Sequence, residues 1–166
     1  MSRYDGVLTY DACERLMATA RNKAKGKPLM QNTRLHEQKI KCGEYEVTMY
    51  TMSLYGHRLL AILPHGYVIN DGGWQSSTTK MRLNKYLDGR YRVYQRDWVW
   101  YIRNSDTDEE MEFYNGSFLD WTGRMHSTDS KSNATGYQFG QDDIDKLYYD
   151  WAKLTYDNSV CRTWGW

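Results

Sequence analysis

The chain has 166 residues, 22 Lys and Arg against 21 Asp and Glu, and a formal net charge of +1. That length suits one domain, large enough to bury about two-thirds of its unfolded surface. The balanced charge excludes a uniform polycation, and a mean hydropathy of -0.84 with no long apolar run speaks against a membrane-spanning helix.

Residues 10–25 read as the first helix, because Ala12, Cys13, Leu16, Met17, Ala20 and Ala24 recur at helical spacing. Thr9 or Asp11 caps it, with Glu14 placed as a capping-box partner, and Gly26 and Pro28 end it. Residues 34–40 and 44–54 are expected as strands joined by Cys42-Gly43; in the second, Tyr45, Val47, Met49 and Thr51 alternate with Glu46, Thr48, Tyr50 and Met52. Gly56 turns into residues 58–63, apolar on both faces and therefore a buried strand that Pro64 ends. Residues 67–70 form a short fourth strand. Asp71-Gly72-Gly73-Trp74 then breaks the sheet, since paired glycines permit positive φ or a close backbone approach.

A polar helix follows over residues 77–87, stopped by Asp88-Gly89. Residues 91–95 and 98–102 are expected as a hairpin with Arg96-Asp97 as its two-residue loop. Residues 104–110 form an acidic turn. Residues 111–114 and 117–121 read as a second hairpin around Asn115-Gly116, a strong type I′ signal. Residues 122–140, rich in Thr, Ser, Gly, Asn, Asp and Lys, read as a loop or linker, and residues 141–156 as a last helix with Ile144, Leu147, Tyr148, Trp151 and Leu154 on one stripe. The expected fold is α+β: an antiparallel, meander-like sheet with N-terminal, mid-chain and C-terminal helices. Residues 1–121 make the core domain, and the helix and Trp-containing tail at 141–166 dock on it.

Charge and aromatics are unevenly spread. Residues 75–103 carry seven basic and two acidic residues, whereas residues 104–166 carry five basic and twelve acidic. The 15 Tyr and 7 Trp outnumber the 3 Phe, so most rings carry a polar tip that suits half-exposed faces and interfaces. They concentrate in the basic hairpin, the last helix and the tail with Trp164 and Trp166. Cys13, Cys42 and Cys161 are widely separated and form no ligand or redox spacing; reduced thiols and a cytoplasmic location follow, with no signal-peptide pattern at the start.

The Gly72-Gly73 turn, with its following hydroxyls and Lys80, resembles a phosphate-binding turn; the simpler reading is a strand-to-helix turn capped by Ser77 or Thr78. In the hairpin, alternation gathers Arg92, Tyr94, Arg96, Tyr101 and Arg103 on one face, stacking platforms beside cations as in single-strand binders; the simpler reading is a solvated sheet surface with cross-strand pairs. His36, His57, His65 and His126 are scattered without metal-ligand spacing. Asp106, Asp108, Glu109, Glu110 and Glu112 lack the ligand spacing and glycine of a calcium loop. No nucleophile, metal or cofactor motif is present, and a non-enzymatic protein is expected.

Three stretches together carry a family likeness: Ala20–Leu29 with Asn32-Thr33-Arg34-Leu35; Asn70–Trp74 with Thr78–Tyr86; and Val93-Tyr94-Gln95 with Trp100-Tyr101. This arrangement resembles a family of small proteins encoded by tailed bacteriophages, over about residues 18–103. The resemblance carries no established activity and transfers no catalytic residue, but it implies a protein working in the cytoplasm of an infected bacterial host. Two roles follow as expectations. In the first, a phage accessory protein binds nucleic acid or a nucleoprotein machine through Trp74, Lys80, Arg82, Lys85, Arg92, Tyr94, Arg96, Tyr101 and Arg103. In the second, a protein-binding inhibitor of a host enzyme or antiviral defence complex acts through Asp106, Asp108, Glu109, Glu110, Glu112, Trp164 and Trp166, its carboxylates competing for a basic groove.

Overall fold

The computed structural model describes residues 4–42, 45–64 and 66–127. The expected C-terminal helix, most of the linker, His65 and the tail with Trp164 and Trp166 lie outside the described residues. Helix α1 spans Tyr10–Ala18, with Thr9 as its cap: the Thr9 hydroxyl accepts from the Ala12 amide at 3.1 Å. It stops well short of residue 25 because local side-chain bonds outcompete further helix. The Thr19 hydroxyl donates to the Leu16 carbonyl, and Asn22 Oδ1 accepts from the Ala24 and Lys25 amides. The chain then enters strand β1 (Lys27–Met30), which contains Pro28. A proline is tolerated there because β1 is an edge strand.

The large sheet continues with β2 (Thr33–Cys42), β3 (Tyr45–Leu54), β4 (His57–Leu63) and β5 (Gly66–Ile69), each antiparallel to the one before. This is the expected meander. Leu59 to Leu63 of β4 are all buried, as its two apolar faces require. Helix α2 (Ser77–Tyr86) follows, and then β6 (Tyr91–Arg96), β7 (Val99–Asn104) and β8 (Glu109–Glu112), which form a separate three-stranded antiparallel sheet. The chain returns to the large sheet as β9 (Phe118–Asp120) beside β5 and β10 (Met125–His126) beside β9. β10 falls inside the stretch expected as linker, residues 122–140, whose remainder from residue 128 lies outside the described residues.

Two turns differ from the sequence reading. The β6–β7 loop is Asp97-Trp98, one residue later than expected, and both residues take left-handed φ of 51° and 69°. Arg96 is paired with Val99 instead of turning. The second hairpin does not form: β8 pairs with β7 while β9 pairs with β5, so the strands flanking Asn115-Gly116 belong to different sheets. A type I′ turn needs positive φ at both central residues, and of the pair Gly116 alone has it. Asn115 is instead buried, its side chain bonded across to Asp71.

One core joins these parts. Leu8, Met17, Leu60, Ile62, Tyr67 and Leu119 pack with Leu83 and Tyr86 of α2 and with Val93, Trp100 and Ile102 of the small sheet. Several tyrosines act as buried staples here, in addition to the surface role their polar tips suggested. Tyr67 donates to the Leu8 carbonyl and accepts from the Asp88 amide, and Tyr91 donates to the Asp120 carbonyl at 2.7 Å, tying the small sheet to the large one. Burial pushes the Tyr67 and Tyr91 hydroxyls above their ordinary range, so both stay protonated donors.

Candidate functional site

The small sheet brings the expected basic-aromatic residues together. Arg92 pairs with Arg103, Tyr94 with Tyr101 and Arg96 with Val99, and directly opposed residues share a face. The Tyr94 and Tyr101 rings stack with centroids 5.9 Å apart, and the Arg96 guanidinium lies 4.5 Å from the Tyr101 ring centre. Sequence alternation could not show that β8 joins this sheet. Glu112 stands opposite Tyr101 and Glu110 opposite Arg103, so part of the acidic cluster occupies the same face. Arg96 pairs with Glu110 at 2.9 Å, the Tyr94 hydroxyl donates to Glu110, and Arg103 pairs with Asp108. Each exposed ion pair contributes at most about 1 kcal/mol. The larger effect is on the field: Arg92, Arg96 and Arg103 stand beside Asp108, Glu110 and Glu112, and these carboxylates oppose the positive potential that phosphate binding relies on.

Helix α2 does not extend this face. Thr79, Leu83 and Tyr86 point into the core. Lys80 reaches Gln95 at 3.3 Å and lies 5.7 Å from the Trp100 ring centre, on the side of the small sheet opposite the arginines. Arg82 donates to the Thr33 hydroxyl at 2.9 Å, and Lys85 pairs with Asp5 at 3.0 Å. The three cations of α2 thus diverge. Asn84 closes the outer edge of β6, donating to the Val93 carbonyl at 2.8 Å and accepting from its amide at 2.7 Å.

A cleft of about 440 Å³ opens on the other side of the α2 N-terminus. Its walls are Leu54, Tyr55, His57, Leu59, Asp71 and Trp74, with the hydroxyls of Ser76, Thr78 and Thr79 at one end. The Gly72-Gly73 turn shapes it, with φ of 68° and 82°. A Cβ on Gly72 would lie 3.1 Å from His57 and Leu59, so the turn lies directly on β4. The turn amides are spent internally: Gly72 donates to Asn70 Oδ1, Gly73 to Asp71 Oδ1 and Trp74 to the Asp71 carbonyl. Ser76, not Ser77 or Thr78, caps α2, accepting from the Thr79 amide at 3.1 Å. These bonds favour the structural turn over a phosphate cradle. Trp74, 73% exposed, and Tyr55, 67% exposed, both line the cleft.

Alignment of the α2 and β6 hydrogen bonds places a further ring at this end. Asn84 meets Val93 and Lys80 meets Gln95, so β6 advances toward the α2 N-terminus. From Lys80 to Ser77 is about 4.5 Å along the helix, and from Gln95 to Asp97 about 6.6 Å along the strand, which brings the Asp97-Trp98 turn level with the first turn of α2. Trp98 is 89% exposed there, and Met81 is exposed on the outer side of α2. Sequence reasoning placed Trp98 in a strand and passed over Tyr55; the signal available was a ring beside Gly56 or Asp97, positions that turns favour.

The family model described as Kyanoviridae Gp96 protein matches residues 13–120. The chain belongs to the Kyanoviridae Gp96 protein family. The match runs from within α1 to the end of β9, wider at both ends than the resemblance seen in the sequence, and it includes the cleft, α2 and the whole small sheet. No curated protein and no solved structure matches the chain. It is therefore a member of a phage protein family, and its residue roles rest on its own geometry. Among the described residues no helix is long and apolar enough to cross a membrane.

Proposed function

We propose that this protein is a non-enzymatic phage accessory protein that docks a protein partner, in the cytoplasm of the infected host, through the exposed side chains of Tyr55, Trp74, Met81 and Trp98. The observation that supports this reading is that Tyr55 and Trp74, two of the four large hydrophobic side chains left exposed among the described residues, line one cleft beside the α2 N-terminus, with Met81 exposed on α2 and Trp98 on the β6–β7 turn. Trp, Tyr and Met are enriched at the centres of protein interfaces, and Trp and Tyr dominate binding hot spots. Tyr55, Asp97 and Trp98 also hold left-handed φ, a conformation that costs ordinary L-residues about 1–2 kcal/mol and marks these turns as places where a bulky ring is retained against local preference. The test is affinity capture from nuclease-treated host lysate. A partner retained by the wild type and lost by the Tyr55→Ala/Trp74→Ala/Trp98→Ala variant supports docking; capture unchanged in that variant, or abolished by nuclease alone, refutes it.

The nucleic-acid reading keeps one specific support, the stacked Tyr94–Tyr101 pair beneath Arg96 with Arg92 on the same face. It requires that a phosphate displace Glu110 from Arg96. A single-stranded oligonucleotide titrated over a salt series tests it: Glu110→Gln strengthens binding and Arg96→Ala weakens it. Binding absent at low salt in both the wild type and Glu110→Gln removes this reading.

A further inference from the structure

The cleft between Trp74 and Tyr55 holds a carboxylate at its side. Asp71 is 7% exposed, and every donor to it is neutral: the Gly73 amide at 2.6 Å and Asn115 Nδ2 at 3.2 Å on Oδ1, and Gln75 Nε2 at 3.3 Å on Oδ2. Both oxygens act as acceptors. Among the described residues no lysine, arginine or histidine forms an ion pair with it. A buried carboxylate is ordinarily paired with a cation, because desolvating the charge alone is costly. Oδ1 is committed to holding the turn and the bond to Asn115, while Oδ2 has one long bond and remaining acceptor capacity. Among the described residues the cleft lining includes Asp71 and His57 and no lysine or arginine. Two of its lining residues, Trp74 and Tyr55, are exposed aromatics, and the faces of Trp and Tyr rings attract cations.

From this combination we propose that the cleft binds a cationic side chain, a lysine or arginine presented by the partner protein, between the Trp74 and Tyr55 rings and directed toward Asp71. The proposal rests on the docking reading above and names the chemistry of the group docked. An anionic group entering the cleft would meet the Asp71 side with no lysine or arginine in the lining to receive it. A neutral aliphatic group would fill the space but leave the carboxylate unpaired. A lysine or arginine stem packs on Leu54 and Leu59 while its head reaches Asp71, which satisfies both parts of the lining. The volume lies within the usual range for ligand pockets, roughly 300–1,000 Å³, and leaves room for flanking backbone.

The experiment is an NMR titration of the full chain with three probes: Nα-acetyl-lysine methylamide, Nα-acetyl-arginine methylamide, and Nα-acetyl-norleucine methylamide as the uncharged isostere. The expected result is saturable shifts at the Trp74 indole and the Gly72 and Gly73 amides with a cationic probe, and affinity for norleucine about tenfold weaker or less. Trp74→Ala, at an exposed ring that the fold does not need, weakens cationic binding several-fold. Norleucine binding as tightly as lysine and arginine overturns the proposal, as does the lack of any saturable shift at these resonances with either cationic probe. The titration needs no partner, so its failure beside intact Trp74-dependent capture removes the cation preference and leaves docking. A positive titration beside failed capture upholds the cleft chemistry and removes the docking reading.

Discussion

Trp98 is the sharpest test of the idea that rings are kept at this end for contact. It is the second residue of a two-residue turn, at φ 69°, and 89% of it is exposed. In Trp98→Gly the left-handed strain of about 1–2 kcal/mol is relieved. Glycine offsets part of this, roughly 0.5–1 kcal/mol, through the greater freedom of its unfolded chain. The ring loses almost no burial, so the variant is expected to gain about 0.5–1 kcal/mol, or a rise of a few degrees in melting temperature at about 2–4 °C per kcal/mol for a chain of this size. Urea unfolding followed by far-ultraviolet circular dichroism measures it without depending on the fluorescence of the deleted ring. The midpoint should rise with an unchanged slope. The same variant should capture the partner less well, so stability and binding move in opposite directions. A lower midpoint than the wild type would show that the Trp98 ring packs in the folded state, and the exposed-anchor reasoning would fail.

Three further outcomes follow from the bonds described. Asn84→Ala removes both hydrogen bonds that close the edge of β6 at Val93 and should lower stability by about 2 kcal/mol, read as a fall in urea midpoint; an unchanged midpoint would mean that water replaces Asn84 at no cost. Asn115→Ala strips the partner from the buried Asp71 amide, at about 1–3 kcal/mol, and should speed hydrogen exchange at that amide while β1 and β2 exchange as before. At Asp120, burial opposes ionisation, but hydrogen bonds from Thr122, His126 and the Thr122 and Arg124 amides outweigh it and hold the carboxyl below its ordinary value of 3.8. Its contribution is therefore present above that ordinary value and lost as pH falls through the lower folded value, so stability should drop more steeply below about pH 4 in the wild type than in Asp120→Asn. Equal slopes would remove Asp120 from the account.

Much of the large sheet was legible in the chain. Alternation marked β3, the doubly apolar run marked β4, and Thr9 with its following apolar spacing marked the start of α1. These are local properties: the two-residue and 3.6-residue periods are set by which side chains must face the core. The end of α1 was misread because Asn22 and Thr19 bond their own backbone, a competition that apolar spacing does not register. The Asn115-Gly116 hairpin was misread because the strongest local turn signal yields when the asparagine side chain finds a buried partner 44 residues away.

The candidate site divides in the same way. The sequence by itself determined which hairpin side chains share a face, since alternation within a strand survives a one-residue shift of the turn when both strands shift together. It also determined that the Gly72-Gly73 turn breaks the sheet before α2. Only the tertiary structure decided that β8 carries Glu110 and Glu112 onto the arginine face, that the cations of α2 diverge, and that Tyr55 and Trp74 line one cleft. Each of these depends on strand order and on the packing of α2 against the edge of β6. They are long-range choices made by the shared core, and no local pattern encodes them.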